Sequence, residues 1–353
     1  MQRRVKIIGA GSIGNHLAQA SRRMGWSVTV VDTNPAALER MRTDIYPTRY
    51  GKWDSEIELI EVKNQPRGKF DIIMIGTPPS SHIPLAIEAL KEKPLLLQIE
   101  KPLCPPYEPK LAAFLKAVKK SRTKVVIGYD HAISKAAGRI SELLKKKIIG
   151  EPVTLDVEFR EHWQGIFKAH PWLSGPKDSY LGYWKKGGGA SGEHSHALHL
   201  WQYFAQAMGI GEWKHVSSVL KVEKKGGTEY DSIASFLLET GTGFVGRAIQ
   251  DVVTRPTRKY VRIQGALGYI EWLLGGAPGG DLIRYESNGE TKEEVFEKKR
   301  PDDFYQEVLH MEDILSGKIK EKNSPLSLAS GVSVMRVLEA AWKGRNRFQK
   351  ISR

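Results

Sequence analysis

The sequence predicts an α/β protein of two domains: an N-terminal doubly wound domain on a parallel sheet, and a C-terminal α+β domain with an open-faced, mostly antiparallel sheet. First, 353 residues with 41% hydrophobic content can bury two cores. Second, wholly apolar strands alternate with helices in the first third of the chain. Third, strand patterns later follow one another without long helices. We expect the domains to be residues 1–128 and 129–353.

The chain opens with a strand, a glycine-rich turn and a helix. The stretch VKIIGAGSIG carries an apolar strand at residues 5–8 and then glycines in the G-x-G-x-x-G spacing. Such glycines allow a tight turn, a close approach of backbone to a pyrophosphate and close packing of helix on strand. The start of the helix then offers N–H groups and a positive dipole end to phosphate. The turn is typical of a Rossmann domain, and its candidate cofactor contacts are Gly9, Gly11, Ser12, Ile13 and Gly14.

The second strand ends in an acid. In WSVTVVD, Asp32 lies 18 residues beyond Gly14, where a carboxylate can accept hydrogen bonds from the adenosine ribose hydroxyls. The same charge repels a 2′-phosphate, and residues 33–35 supply no arginine to offset it. We therefore expect the cofactor to be NAD rather than NADP, bound by Asp32 and Thr33.

The rest of the first domain continues the alternation. We expect helices over residues 35–42, 81–91 and 109–119, and buried strands over 70–79, 94–103 and 124–130, while 44–66 fits strand or helix. In a parallel sheet the ligand lies beyond the carboxyl ends of the strands. The residues that follow these strands are Thr77, Pro78, Glu100, Lys101, Tyr129 and His131.

The second domain begins with an alternating strand over residues 151–162. Further strands are expected over 215–222, 232–238, 243–250, 260–264 and 268–273. A sheet of this kind often leaves one face open, so we expect a homodimer or homotetramer formed through it.

A histidine-rich segment, GASGEHSHALHLW, lies within this domain. A helix that begins near residues 192–195 puts His196 and His199 on one face and His194 elsewhere, with Glu193 close to His196. Zinc would need three or four convergent ligands, and neither H-E-x-x-H nor a nearby cysteine is present, so we expect no metal. Imidazole titrates near neutrality, which suits proton transfer by a histidine of this segment. His199 would orient that histidine or pack in the core.

The segment before the triple glycine is rich in aromatic residues and lysines, including Trp163 and Trp172. Aromatic faces stack on the C–H surfaces of sugars, and lysines suit a carboxylate or phosphate. If this loop lines the cleft, the substrate is an acidic or nucleotide-linked sugar. The alternative is a surface loop that buries its own aromatic side chains. Further substrate-binding candidates are Tyr129, His131, Arg160 and His162.

GAGSIG together with TPPSSHIPLAIEALKEKPLLLQIEKPL resembles the Gfo/Idh/MocA oxidoreductases, and the resemblance covers nearly the whole chain. That family's fingerprint is a glycine-rich turn, a T-P-x-x-x-H segment and an E-K-P strand end. The resemblance implies a nicotinamide-dependent oxidation or reduction of a hydroxyl on a sugar, inositol or nucleotide-sugar. It places Thr77, Pro78, His82, Glu100 and Lys101 at the cofactor.

The resemblance also implies the catalytic residues. The family lysine matches Lys101, and GGGASGEHSHALHL matches a shorter form of the family's histidine segment, with His196 at the catalytic position. His199 stands where the family has an aspartate. His196 would take the hydroxyl proton while the Lys101 cation stabilises the developing alkoxide.

Composition narrows the alternatives. The net charge of +14 is spread along the chain, so we expect an anionic small molecule rather than nucleic acid as the partner. Cys104 is the only cysteine, which rules out an internal disulfide. No apolar run approaches the length of a membrane span, so we expect a cytoplasmic protein without a membrane partner. Two other functions stay open: a redox-cycling NAD-dependent glycosidase and a non-catalytic dinucleotide-sensing regulator. The presence of both Lys101 and His196 argues against the regulator.

Overall fold

The computed structural model describes residues 2–168, 170, 172–299 and 301–348. The chain divides into two compact units. Unit 1 comprises Met1–Cys104, Glu108–Asp130 and Arg300–Gly331, and unit 2 comprises Pro105–Tyr107, His131–Lys299 and Val332–Arg353. The domain boundary expected between residues 128 and 129 stays a prediction. Residues 301–331, which lie far along the sequence, group with unit 1.

Unit 1 is built on a six-stranded parallel sheet. Its strands are β1 (Arg4–Ile8), β2 (Ser27–Asp32), β3 (Ile57–Glu61), β4 (Ile72–Ile75), β5 (Leu96–Glu100) and β6 (Lys124–Gly128). Their order is β3-β2-β1-β4-β5-β6. The strand order reverses between β1 and β4, and open α/β sheets bind ligands at such a switch point. The expected doubly wound parallel sheet is confirmed.

The helices of residues 2–128 flank this sheet. They are α1 (Ser12–Arg23), α2 (Pro35–Arg40), α3 (Tyr46–Tyr50), α4 (His82–Lys91) and α5 (Leu111–Lys119). A π-helical turn, Met41–Ile45, joins α2 to α3, so the expected helix over 35–42 continues to residue 50 in changed geometry. Residues 44–66, which fitted either structure, contain both α3 and β3.

Unit 2 is built on an eight-stranded sheet. Its strands are β7 (Pro152–Arg160), β8 (Trp213–Lys225), β9 (Thr228–Thr240), β10 (Val245–Asp251), β11 (Arg258–Gly265), β12 (Gly268–Ala277), β13 (Gly280–Ser287) and β14 (Glu290–Glu297). Their order is β14-β13-β12-β11-β7-β10-β9-β8. Within this second sheet, β7–β10 is the one parallel pair among the described residues and the other neighbouring strands are antiparallel, which confirms a mostly antiparallel sheet.

The hairpin of β13 and β14 was not expected from the sequence. Asn288 and Gly289 connect its strands, with φ angles of +53° and +80°. An Asn-Gly pair between two strands is a strong hairpin signal, because both residues tolerate positive φ. That dipeptide could have revealed the two strands.

The remaining helices are α6 (Lys135–Lys145), α7 (Trp163–Lys168), α8 (Gly189–Glu193), α9 (His196–Met208), α10 (Asp302–Leu315) and α11 (Leu328–Gly344). In unit 2, α9 packs on β7, where Trp201 Nε1 donates to Leu155 O at 3.1 Å. In unit 1, α10 packs against α1, and the Phe304 ring stacks on His16. Among the described residues, no helix has the length and hydropathy needed to cross a membrane.

Candidate functional site

The glycine-rich turn of unit 1 closes in a way that only glycine permits. Gly9 has a φ of +108°, and a Cβ added to Gly14 would lie 1.9 Å from Gly9 O. Asn15 Nδ2 donates to Gly11 O at 2.8 Å and fixes the turn from inside. In the described part of the chain, no side chain caps the start of α1. Its first N–H groups therefore lack intrahelical partners and can receive an anion.

Asp32 ties this turn to the next strand. Its Oδ2 accepts from Ala10 N and its Oδ1 from Asn34 N, both at 2.8 Å. The side chain is half-buried, and Thr33 beside it is exposed. A carboxylate has about four acceptor positions, so two backbone donors leave capacity for ribose hydroxyls. The residues of this turn fit a dinucleotide.

Arg49 is a residue of this site that the sequence reasoning missed. From α3, its Nη2 donates to Ser12 Oγ at 2.9 Å and its Nη1 to Ser12 O at 3.0 Å. His16 Nε2 lies 3.2 Å from the same Nη1. Arg49 is 37 residues from Ser12 in the sequence and belongs to no motif, so no sequence signal pointed to it. It places a cation beside the glycine-rich turn.

His82 is a buried side chain that links two turns of unit 1. Its Nε2 lies 2.7 Å from Thr77 O and its Nδ1 3.0 Å from Pro102 O, so the ring joins the turns that follow β4 and β5. Burial lowers the pKa of His82 to about 4, and the hydrogen bonds to the two carbonyl oxygens oppose that shift. Thr77 is half-buried and Pro78 is exposed, so these two residues border the sheet edge.

Lys101 follows β5 at the same sheet edge and is half-buried. Glu100 before it is buried, and its Oε2 accepts from Lys101 N at 3.2 Å. Burial raises the pKa of the Glu100 carboxyl above its ordinary range, and the Lys101 charge opposes that rise. Tyr129, which follows β6, is fully buried.

The histidine segment of unit 2 also stands on a glycine-only turn. Gly187 and Gly189 have φ angles of +88° and +79°, and a Cβ added to Gly192 would lie 2.1 Å from Gly187 O. Asp231 of β9 accepts from Ser191 N at 2.7 Å and from Ser191 Oγ at 3.1 Å. Complete burial raises the pKa of Asp231 to about 7. Sequence reasoning missed Asp231, because nothing in its neighbourhood resembles a motif.

His196 begins α9 and rests on the sheet of unit 2. Its ring lies 4.5 Å from the His131 ring and 6.0 Å from the Phe159 ring, centroid to centroid. Phe159 lies between Gln250 and Lys259 in the register of neighbouring strands. Gln250 Nε2 donates to His194 O at 2.5 Å, which links the residues just before α9 to the strand next to Phe159. The structure thus brings His131 and His196 together.

The other members of this segment are placed differently. His194 and His199 are 4% and 2% exposed, so both lie inside unit 2, whereas His196 is half-buried. Glu193 is half-buried, and its Oε2 accepts from Tyr180 OH at 3.2 Å. His196 is therefore the most accessible of the three histidines. The expectation that no metal is needed stays a prediction.

The remaining candidates divide into paired and packed side chains. Arg160 Nε donates to the buried Asp251 at 2.6 Å. His162 Nδ1 accepts from Gln164 N at 3.0 Å, and burial, followed by the charge of Arg255, lowers the pKa of His162. Trp163 lies in a core cluster with Ile166, Leu181, Ala190 and Val252. Trp172 is half-buried, and its ring lies 5.4 Å from that of His170.

The chain matches two family models. Residues 3–129 match the oxidoreductase family model with an NAD-binding Rossmann fold, and residues 141–352 match the C-terminal α/β domain model of the same family.

Solved structures share the fold over nearly the full chain. The aldose-aldose oxidoreductase from Caulobacter crescentus, complexed with glycerol, has a TM-score of 0.74 at 19% identity and covers 98% of this chain and 97% of its own. A levoglucosan dehydrogenase with NADH and levoglucosan has a TM-score of 0.75 at 17% identity, with 98% and 97% covered. The WlbA dehydrogenase from Bordetella pertussis, with NADH and UDP-GlcNAcA, has a TM-score of 0.69 at 18% identity, with 98% and 96% covered.

These matches and the glycine turn agree with the sequence fingerprint. The chain belongs to the Gfo/Idh/MocA family of oxidoreductases, with an NAD-binding Rossmann domain and the family's C-terminal α/β domain.

Proposed function

We propose that this protein is an NAD-dependent dehydrogenase or reductase acting on the hydroxyl or keto carbon of a sugar, sugar acid or nucleotide-sugar. The observation that supports this most is a half-buried imidazole, His196, held on the Phe159 and His131 rings. It occurs in a chain whose other unit carries a dinucleotide turn. The homo-oligomer expected through the unit 2 sheet stays a prediction.

Unit 1 has the residues to hold the cofactor. The open start of α1 would receive the pyrophosphate, Asp32 would accept the adenosine ribose hydroxyls, and the Arg49 cation beside Ser12 would add to the attraction for phosphate. NAD held by these residues would supply the acceptor or donor of the hydride at the carbinol carbon. The position of Asp32 favours NAD over NADP, because its charge opposes a 2′-phosphate.

Two side chains would handle the proton. His196 accepts the proton of the substrate hydroxyl during oxidation and returns it during reduction, a role suited to imidazole near neutral pH. The Lys101 ammonium donates a hydrogen bond to the same oxygen and stabilises its developing negative charge. The Phe159 and His131 rings limit the orientations of the His196 ring, so less ordering is required at the moment of reaction.

The substrate class is proposed from chemistry and from the relatives. Two of the related structures are complexes with levoglucosan and with UDP-GlcNAcA, so related proteins bind free and nucleotide-linked sugars. Unit 2 carries cations at the end of β7 and near it: Arg160, Arg255 and Lys259. Arg160 pairs with Asp251, and Lys259 pairs with Glu161. An acidic sugar would therefore compete with these carboxylates for the two cations.

A sugar panel tests the proposal. Purified protein is mixed with NAD and neutral, acidic and nucleotide-linked sugars, and NADH is followed by absorbance. His196→Ala and Lys101→Ala should each lose about 100-fold or more in turnover while still binding NAD. His215→Ala is the matched control, since His215 is an exposed histidine of unit 2 paired with Glu239.

Three outcomes would contradict the proposal. Cleavage of a nitrophenyl glycoside without net NADH would indicate a redox-cycling glycosidase. NAD binding without turnover of any sugar would indicate a regulator. Wild-type rates in both the His196→Ala and Lys101→Ala variants would remove those side chains from the chemistry.

A further inference from the structure

A second carboxyl group lies behind the strand end that carries Lys101. Glu307 of α10 is fully buried, and its Oε1 accepts from Gln98 Nε2 at 3.2 Å. The same Gln98 Nε2 donates to Glu100 Oε1 at 2.9 Å. One amide therefore bridges two buried carboxyls, one next to Lys101 and one from a helix about 200 residues later in the chain.

The sheet leaves room for this arrangement. Glu100 pairs with Gly128 of the neighbouring strand, and a Cβ on Gly128 would lie 2.6 Å from Glu100 Oε1 and 2.9 Å from Gln98 Nε2. A larger residue at position 128 would displace the carboxyl. The space for the Glu100 side chain thus depends on a glycine at position 128 of β6.

Burial and mutual repulsion favour a proton on the pair. The single amide supplies one hydrogen to each carboxyl, and Glu307 Oε2 has no hydrogen-bond partner among the described residues. Two ionised carboxylates in a buried site repel each other and lose their hydration. Burial, and then the charges of Glu100 and Asp130, raise the pKa of Glu307 well above its ordinary value.

The charged and titratable groups around the pair come from three segments. Lys101 follows β5, Asp130 follows β6, and Asp303 precedes Glu307 on α10. The Lys101 charge acts on Glu100, where it lowers the pKa against the effect of burial. If Glu307 holds the proton, Glu100 can carry the single negative charge beside Lys101.

We propose that Glu307 is a positioning residue of the active site: its protonated carboxyl leaves one negative charge, on Glu100, which holds the Lys101 ammonium at the substrate oxygen. This rests on the proposed function. Loss of the Glu307 proton at alkaline pH would add a second buried negative charge behind Lys101. That charge would oppose the developing alkoxide, so it would lower kcat and leave KM for the uncharged hydroxyl largely unchanged.

The test compares Glu307→Gln, which cannot ionise, and Glu307→Asp, which still can. We expect wild-type kcat to fall about 10-fold across an alkaline transition, equivalent to about one pK unit of interaction. Glu307→Asp should keep this transition and Glu307→Gln should lose it, with KM unchanged. Glu312→Gln is the matched control, because it removes an acid from the same helix, where Glu312 pairs with Arg3. Identical pH profiles of kcat in wild type and Glu307→Gln would overturn the proposal.

Infrared spectroscopy of the free protein separates this proposal from the proposed function. The wild type minus Glu307→Gln difference spectrum should show a protonated carboxyl band at neutral pH that disappears on alkalinisation. The spectrum needs no substrate, so it tests the protonation of Glu307 even if no sugar is turned over. Absence of that band at neutral pH would overturn the assignment of the proton to Glu307, whatever the enzyme assay shows.

Discussion

Two glycine-rich turns, one in each unit, are built alike and serve different ends. Gly9 and Gly187 both have positive φ. In each turn the glycine five residues later, Gly14 or Gly192, packs on the carbonyl group of the first. An aspartate from a nearby strand accepts a backbone N–H of each turn. The aspartate is half-buried Asp32 in unit 1 and fully buried Asp231 in unit 2.

The difference lies in where the backbone donors point. In unit 1, Asp32 accepts from Ala10 before α1 begins, and no side chain of the described residues caps the start of α1. In unit 2, the buried carboxyl group of Asp231 accepts from Ser191 N inside the five-residue α8, so it already occupies an N–H group at the start of that helix. The first turn is therefore suited to bind an anion. The second is suited to support the side chains that follow it, Glu193 and His196.

The largest expected effect comes from a methyl group in each turn. Gly14→Ala and Gly192→Ala would each force a Cβ to about 2 Å from a carbonyl oxygen. We expect about 2–3 kcal/mol of strain in each variant, which corresponds to a change of about 100-fold in the Kd for NAD or in the turnover rate. Gly14→Ala should weaken NAD binding, measured by fluorescence titration. Gly192→Ala should keep NAD binding and lose turnover.

Gly138→Ala in α6 is the control for this pair, because its Cβ would meet nothing within 4 Å. Loss of NAD binding in Gly192→Ala, with the fold retained by circular dichroism, would show that the two turns do not have separate roles.

The next effect concerns Asp32. Asp32→Ala removes a charged acceptor that would bind ribose, a contact worth about 1.5–3 kcal/mol, so the Kd for NAD should rise about 10–100-fold. The Kd for NADP should change less, because the repulsion of the 2′-phosphate is also removed. Calorimetric titration with both cofactors gives the ratio. An unchanged ratio of the two Kd values would remove Asp32 from cofactor selection.

The contrast between the two aspartates shows what the sequence could predict. Asp32 was predictable because turn, helix, strand and acid follow one another within one βαβ unit. Asp231 lies 40 residues beyond Ser191, on a strand reached after α9 and β8, so only the folded chain joins them. Lys101 was placed by a strand end and a proline, whereas Glu307 and Arg49 reach the site from remote helices. Local sequence patterns predict the residues at strand ends, whereas contacts between residues distant in the sequence become visible only in the folded structure.

Burial of Asp231 gives a pH prediction of smaller size. Because the folded-state pKa is raised to about 7, the stability it contributes is present at low pH and is lost as pH rises from the ordinary carboxyl range through about 7. Asp231→Asn removes this dependence. Its Tm relative to wild type should therefore increase between about pH 5 and pH 8. Thermal melts at both values test this, and a Tm difference that does not change with pH would contradict it.

The smallest effect is expected at Arg49. Arg49→Lys keeps the charge and loses the two-pronged contact with Ser12, so NAD binding should weaken about 3–10-fold. Arg42→Lys is the matched control, as an exposed arginine of the preceding turn paired with Glu39. Equal Kd values for the two variants would show that Arg49 does not contribute to the cofactor site.

The central claim is that Lys101 and His196 act on one substrate oxygen, and a double-mutant cycle tests it most directly. The kcat/KM values of Lys101→Ala, His196→Ala and the double variant are compared on the best substrate from the sugar panel. Groups that act as a unit give non-additive losses, so the double variant should be about as slow as the slower single variant. If the two losses instead multiply, the side chains act independently and the claim is contradicted.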